Sequence, residues 1–208
     1  SSVSFDVSAV NPIFSGSGQL NVAGYGVIPT NIVTTGTDFA NLFLVGSFQI
    51  TPKILSITDL GATGLTKVYD GNTSIAGLTL NTIAANSQIK AGDRVSIEAS
   101  GNFDDRNTGA VKRIAINLGL TGADAANYAL GQSQLNSAND GIYGSIDQLA
   151  SVQWIGASGG KWSNASNWAN GALPVLSNVA QVIVPTGITV VYDSALVGEI
   201  GSTIINNG

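Results

Sequence analysis

The chain has no cysteine, no histidine and no methionine. Without cysteine there is no disulfide and no thiol nucleophile. Without cysteine and histidine the usual zinc ligand sets are missing, and so is every Ser-His or Cys-His catalytic arrangement. Charge is also scarce. Charged residues make up 10% of the 208, against about 25% in an ordinary soluble protein. Five Lys and three Arg face thirteen acids, for a net charge of -5. A groove that tracks phosphates needs clustered Lys and Arg, so nucleic acid is not expected as a partner. No run approaches the roughly 18 consecutive apolar residues of a membrane-spanning helix, so no membrane-spanning segment is expected. A cysteine-free chain suits the cytosol, and equally a bacterial secreted protein that does not rely on oxidative folding; the low charge favours the second. Ser1 in place of an initiator Met reads as a processed chain or an excerpt.

What fills the composition is short and uncharged. There are 22 Ser, 16 Thr and 19 Asn beside 26 Gly, with 44% hydrophobic residues to build a core. Such side chains suit turns and the outward faces of strands. The local pattern agrees. Arg94 to Ser100 alternates with period two, placing Val95, Ile97 and Ala99 inward and Arg94, Ser96 and Glu98 outward. Ile114 to Leu118 repeats the signature, and Ser4–Val10, Leu42–Ile50, Lys53–Thr58, Val179–Val184 and Ile188–Tyr192 follow it less cleanly. Short strands between Gly, Asn, Asp and Pro predict an all-β chain, a β-sandwich or a β-solenoid. Gly122–Leu130 is the one helix-like stretch, and it is too short to stand alone.

An internal repeat organises the chain. Gly36, Asp38 and Asn41 align with Gly122, Asp124 and Asn127, and each copy leads into a β-like run. This predicts the C-terminal part of one β repeat over residues 1–51 and a complete repeat over 52–149, with Pro52 marking the joint. Residues 150–208 read as the start of a further domain, in which Trp154, Trp162 and Trp168, the only tryptophans, fall close together.

The central stretch carries four motifs in order: Lys67-Val68-Tyr69-Asp70-Gly71-Asn72-Thr73, then Gly92-Asp93-Arg94-Val95, then Gly101-Asn102-Phe103-Asp104-Asp105-Arg106-Asn107-Thr108-Gly109, then Gly122-Ala123-Asp124-Ala125-Ala126-Asn127-Tyr128. Together they resemble the YDG-type repeat of large bacterial surface proteins, the filamentous-haemagglutinin-like adhesins and two-partner-secreted exoproteins. The first fifty residues resemble the end of a preceding, divergent repeat, with Leu42 where the family usually has Tyr. The segment from Val152 to Trp168 resembles a tryptophan-marked segment of the same exoproteins. The resemblance implies an extracellular adhesin on the bacterial surface, built as a stalk of small, Ig-like β-sandwich modules in tandem, followed by the start of a further β-rich or β-helical domain. It implies neighbouring repeats and an outer-membrane secretion partner as associates, and no enzymatic activity or cofactor.

Each motif also has a plain structural reading. Asp70-Gly71 is a tight-turn pair whose carboxylate accepts local N–H groups, with Tyr69 burying its ring and keeping its hydroxyl near the edge. Asp104 and Asp105, with Asp93, Asp124 and Asn127, offer oxygens for calcium, but the spacing matches no EF-hand and Arg106 adjoins them. Asp38 and Asp124 read as acceptors capping a short turn. The only glutamates, Glu98 and Glu199, are not placed across a cleft as a glycosidase pair would be. Lys67, Lys112 and Lys161 raise the thought of a Lys–Asn or Lys–Asp cross-link, which requires a buried acid nearby. Trp154, Trp162 and Trp168 read first as core anchors. Their alternative is a carbohydrate platform, which requires rings more than half exposed. A third reading is a self-assembling extracellular fibre joined through edge strands.

Overall fold

The computed structural model describes residues 2–35, 46–57, 62–80, 83–175, 177–193 and 203–206. The Gly36–Leu42 copy of the repeat, with Asp38, and the glutamate at 199 lie outside these residues. The strands run in chain order as β1 (Ser2–Ala9), β2 (Gly24–Thr35), β3 (Ser47–Gln49), β4 (Lys53–Leu55), β5 (Thr66–Val68), β6 (Ser96–Phe103), β7 (Gly109–Thr121), β8 (Tyr128–Leu130), β9 (Gln134–Asn136), β10 (Tyr143–Asp147), β11 (Leu149–Gln153), β12 (Gly160–Lys161), β13 (Val179–Val184), β14 (Val190–Val191) and β15 (Thr203–Asn206). Two four-residue helices, α1 (Ile83–Asn86) and α2 (Ser137–Asp140), interrupt them. The fold is all-β, in small open sheets.

The chain divides into two compact units. The first takes Ser1–Leu60, Thr82–Glu98 and Gly119–Ser133. It holds the antiparallel sheet β1-β2-β3 and the parallel pair β4-β8. The second takes Gly61–Asn81, Ala99–Leu118 and Gln134–Gly208. Its main sheet runs β5-β10-β7-β6, with β9 also on β7. Strands β6 and β7 carry residues of both units.

The alternation read from the sequence sets which side of β6 and β7 is buried. On β7, Lys112, Ile114, Ile116 and Leu118 point inward with exposed or half-buried residues between them. On β6 the inward set ends at Gly101 and Phe103. Tyr69, Ile75, Leu135 and Ile146 complete this core. Burying such side chains is worth about 1.5–3 kcal/mol each.

The last sixty residues pair differently. β11 lies parallel to β13, and β13 parallel to β15. β12 lies parallel to β14. Stacked parallel rungs of this kind are the coil-on-coil pattern of a β-solenoid. Val179, Val182 and Val184 are buried along the central rung.

The short helix-like stretch at 122–130 holds a single 3-10 turn, Ala125–Asn127, leading straight into β8. Too few residues follow the turn to propagate a helix, and Tyr128 to Leu130 pair with β4 instead.

Candidate functional site

Two clusters gather nearly all the motif residues, one in each unit. In the first unit, Gly92, Asp93, Asp124, Asn127 and Tyr128 surround the loop before β2. Asp124 divides its carboxylate: one oxygen accepts the Gly16 N–H at 3.0 Å and the other the Arg94 N–H at 2.8 Å. Asp93 accepts the Ser17 N–H at 2.6 Å and the Tyr128 hydroxyl at 2.6 Å. Asn127 accepts the Val22 N–H at 2.7 Å and donates to the Asn21 side chain at 2.8 Å. Gly92, at φ 103°, makes the turn that presents Asp93. Burial pushes the Asp93 carboxyl up, but hydrogen bonds from Ser15, Tyr128 and Ser17 outweigh it and hold it at about 2. Burial and the neighbouring Asp93 raise the Tyr128 hydroxyl above its ordinary value.

This corrects the capping role expected of Asp124. Its side chain makes no cap bond to the 125–127 turn. The carboxylate instead reaches Gly16 and Arg94, which are distant in sequence. A cleft of about 250 Å³ adjoins the cluster, lined in part by Lys53, Lys90, Asp93, Asn127 and Tyr128. Asp93, Asn127 and Tyr128 direct their polar groups to the chain itself.

In the second unit, the Lys67 ammonium organises the Tyr69-Asp70-Gly71 turn. It donates to Asp70 at 2.7 Å, to the Asn72 side chain at 3.0 Å, and to the carbonyls of Asn72 and Ser74 at 2.8 and 3.0 Å. Its charge also sits 5.7 Å from the centre of the buried Phe103 ring. Asp70 accepts the Asn72 N–H, as a turn acid should. Gly71 has φ 80°, and a Cβ there would stand 2.6 Å from the Gly171 carbonyl oxygen, so both its backbone angle and its neighbour require glycine.

Tyr69 is 2% exposed and donates to the Leu173 carbonyl at 2.7 Å. Its hydroxyl is therefore not at the edge, as expected, but inside, because residues 171–174 pack over the turn. Burial raises it above 10.0. Beside it Asn178, fully buried, accepts the Thr108 N–H and donates to the Asn107 side chain, both at 2.9 Å. Asp105 accepts the Asn107 N–H and pairs with Lys112 at 2.6 Å, while Asp104 stands 3.6 Å from the same ammonium. The Lys112 hydrogen bond holds Asp105 below the usual carboxylate value. Gly109 pairs with Ile146, and the Lys112 stem runs against it.

The acids named as calcium candidates thus lie in two separate clusters, facing backbone amides in one and Lys112 in the other. Among the described residues no three His, Cys, Asp or Glu side chains gather to hold a metal.

The three tryptophans form one core. Trp154, Trp162 and Trp168 are 1%, 3% and 0% exposed. Trp168 meets Trp154 edge-on at 4.9 Å and Trp162 at 4.7 Å, contacts worth about 0.5–1.5 kcal/mol each beyond their buried area. Trp162 donates to the Pro174 carbonyl and Trp168 to the Trp162 carbonyl. A sugar-stacking platform needs open rings, so these side chains do not provide one. The sequence reading missed Asn178, which looks like an ordinary turn residue ahead of β13. It named Lys67 without assigning it to the turn.

The family model for the YDG domain matches residues 51–136. No curated protein and no solved structure matches the chain.

Proposed function

We propose, from the premise that residues 51–136 are a YDG domain, that this chain is a structural connecting segment of a secreted bacterial surface adhesin. One observation carries the reading. The side chains that most resemble a site are engaged in fastening neighbouring stretches of chain: Asp93, Asp124 and Asn127 hold residues 16–22, and Tyr69 and Asn107 hold residues 173–178. A repeat whose signature residues grip what precedes and follows it suits a stalk, where each module must transmit load to the next. The Ser, Thr and Asn surface supports an exposed extracellular setting.

The test is an antibody against residues 52–149 applied to intact, unpermeabilised source cells and to a denaturing gel. Surface staining with a band far larger than 208 residues is expected. Signal only after lysis contradicts the proposal.

A further inference from the structure

Strands β5 and β10 both belong to the second unit and lie parallel, with Thr66 beside Ser145 and Val68 beside Asp147. A hairpin cannot close a parallel pair, and here the chain between them carries β6, β7, β8 and β9. Hydrogen bonds hold the ladder at both ends. The Ser145 N–H donates to the Leu65 carbonyl and the Tyr69 N–H to the Asp147 carbonyl, each at 2.9 Å. The Thr66 and Ser145 hydroxyls meet at 3.0 Å. Buried Tyr69 and Ile146 keep water from the inner side of the pair.

The position of these strands along the chain decides how they meet tension. The chain reaches β5 from Gly61, where the second unit begins, and leaves β10 through Gln148 directly into β11. Backbone tension therefore arrives at the N-terminal end of β5 and at the C-terminal end of β10. In a parallel pair those two ends lie at opposite extremities. The strands are pulled past each other, and the hydrogen bonds between them are strained together. An antiparallel pair loaded at the same ends would carry both at one extremity and peel apart bond by bond. The first unit has the same device. β4, at the start of the matched domain, lies parallel to β8 near its end, and the Gly131 N–H donates at 2.9 Å to the carbonyl of the buried Leu55.

We propose that β5 and β10 form a mechanical clamp, a pair loaded in shear that sets the force at which this stretch of chain opens. The proposal rests on the connecting-segment reading, which supplies the load and its direction. Lys67 adds to the clamp. Its bonds to the Asn72 and Ser74 carbonyls tie β5 to the segment whose Thr73 carbonyl and Ile75 N–H pair with β6. Sliding β5 past β10 therefore also disturbs that corner.

The test pulls the full chain at constant force and times its opening, which reads the unfolding rate directly. Cysteine is absent from the chain, so two introduced cysteines give unique attachment points. Thr63→Cys with Gln148→Cys holds the pair at opposite ends, and Val68→Cys with Gln148→Cys holds it at one end; all three positions are exposed. At equal force the first geometry is expected to stay closed about tenfold longer than the second, because several hydrogen bonds are strained together rather than one at a time. Ser145→Pro deletes the donor to Leu65 and is expected to shorten the opposite-end lifetime towards the one-end value. Equal lifetimes in the two geometries overturn the proposal. So does an opposite-end lifetime that Ser145→Pro leaves unchanged, because another element then bears the load. Neither result bears on the cell-staining test, which judges the connecting-segment reading separately.

Discussion

The Tyr69 hydroxyl donates to the Leu173 carbonyl at 2.7 Å, both groups buried. The tyrosine at the head of the Tyr-Asp-Gly turn is thereby fastened to a segment more than a hundred residues downstream. Tyr69→Phe keeps the ring and removes this bond, leaving the carbonyl without that donor. The expected cost is about 1–3 kcal/mol in denaturant unfolding, with Tyr69→Ala costing about 3–5 kcal/mol. A Tyr69→Phe variant as stable as the unaltered chain would show that the hydroxyl contributes nothing.

Lys67 is expected to resist conservative replacement. Its four acceptors converge on one compact ammonium, a geometry that a planar guanidinium does not reproduce. Asp70 is 41% exposed, so the ion pair alone contributes little. The carbonyl bonds carry the larger share. Lys67→Arg and Lys67→Met should both lower stability by about 1–3 kcal/mol, with little change between low and high salt. A loss that vanishes in high salt would assign the role to charge pairing instead.

Asp93 makes the first unit sensitive to acid. Its carboxyl is depressed from 3.8 to about 2 by the hydroxyl and amide donors around it. A depressed acid stabilises the folded state above its unfolded value, and that contribution is lost as pH falls through the folded value. Amides near Ser17 should therefore begin to exchange faster as pH drops from 3.8 towards about 2, after correction for intrinsic rates. Asp93→Asn should flatten this dependence. An identical pH profile in the variant would contradict the assignment.

The tryptophans should not be equivalent. Trp168 Nε1 donates to a carbonyl at 2.8 Å, whereas the buried Trp154 Nε1 has no partner among the described residues. Trp168→Phe is expected to cost about 1–3 kcal/mol more than Trp154→Phe, since only the first breaks a buried hydrogen bond. Thermal unfolding of the two variants decides it.

The sequence shows periodicity and turn chemistry but not the partners that close them. Val95 to Ala99 and Ile114 to Leu118 are readable because a half-buried strand alternates, and the structure keeps that alternation. Tryptophan burial is readable from the lack of other large hydrophobes nearby. The roles of Asp124 and Tyr69 are not, because Gly16 and Leu173 lie far away in sequence and no local rule selects them. Parallel pairing of β11 with β13 is hidden for the same reason, since apolar runs do not encode strand direction. Helix α2 carries a local signal in the sequence: Asn136 caps it through Ala138 and Asn139, and Gly141 ends it at φ 65°.

The central claim is that the YDG-type turn and the tryptophan-containing segment are fastened into one cooperative structure. All three tryptophans lie in that downstream segment, so their fluorescence reports its unfolding. Thermal unfolding of the full chain should be followed by tryptophan fluorescence and, in parallel, by hydrogen exchange of β6 and β7 residues 99–118. The account predicts a single shared transition that Tyr69→Phe lowers for both probes together. A tryptophan transition separate from that of residues 99–118, or one that Tyr69→Phe leaves in place, would contradict it.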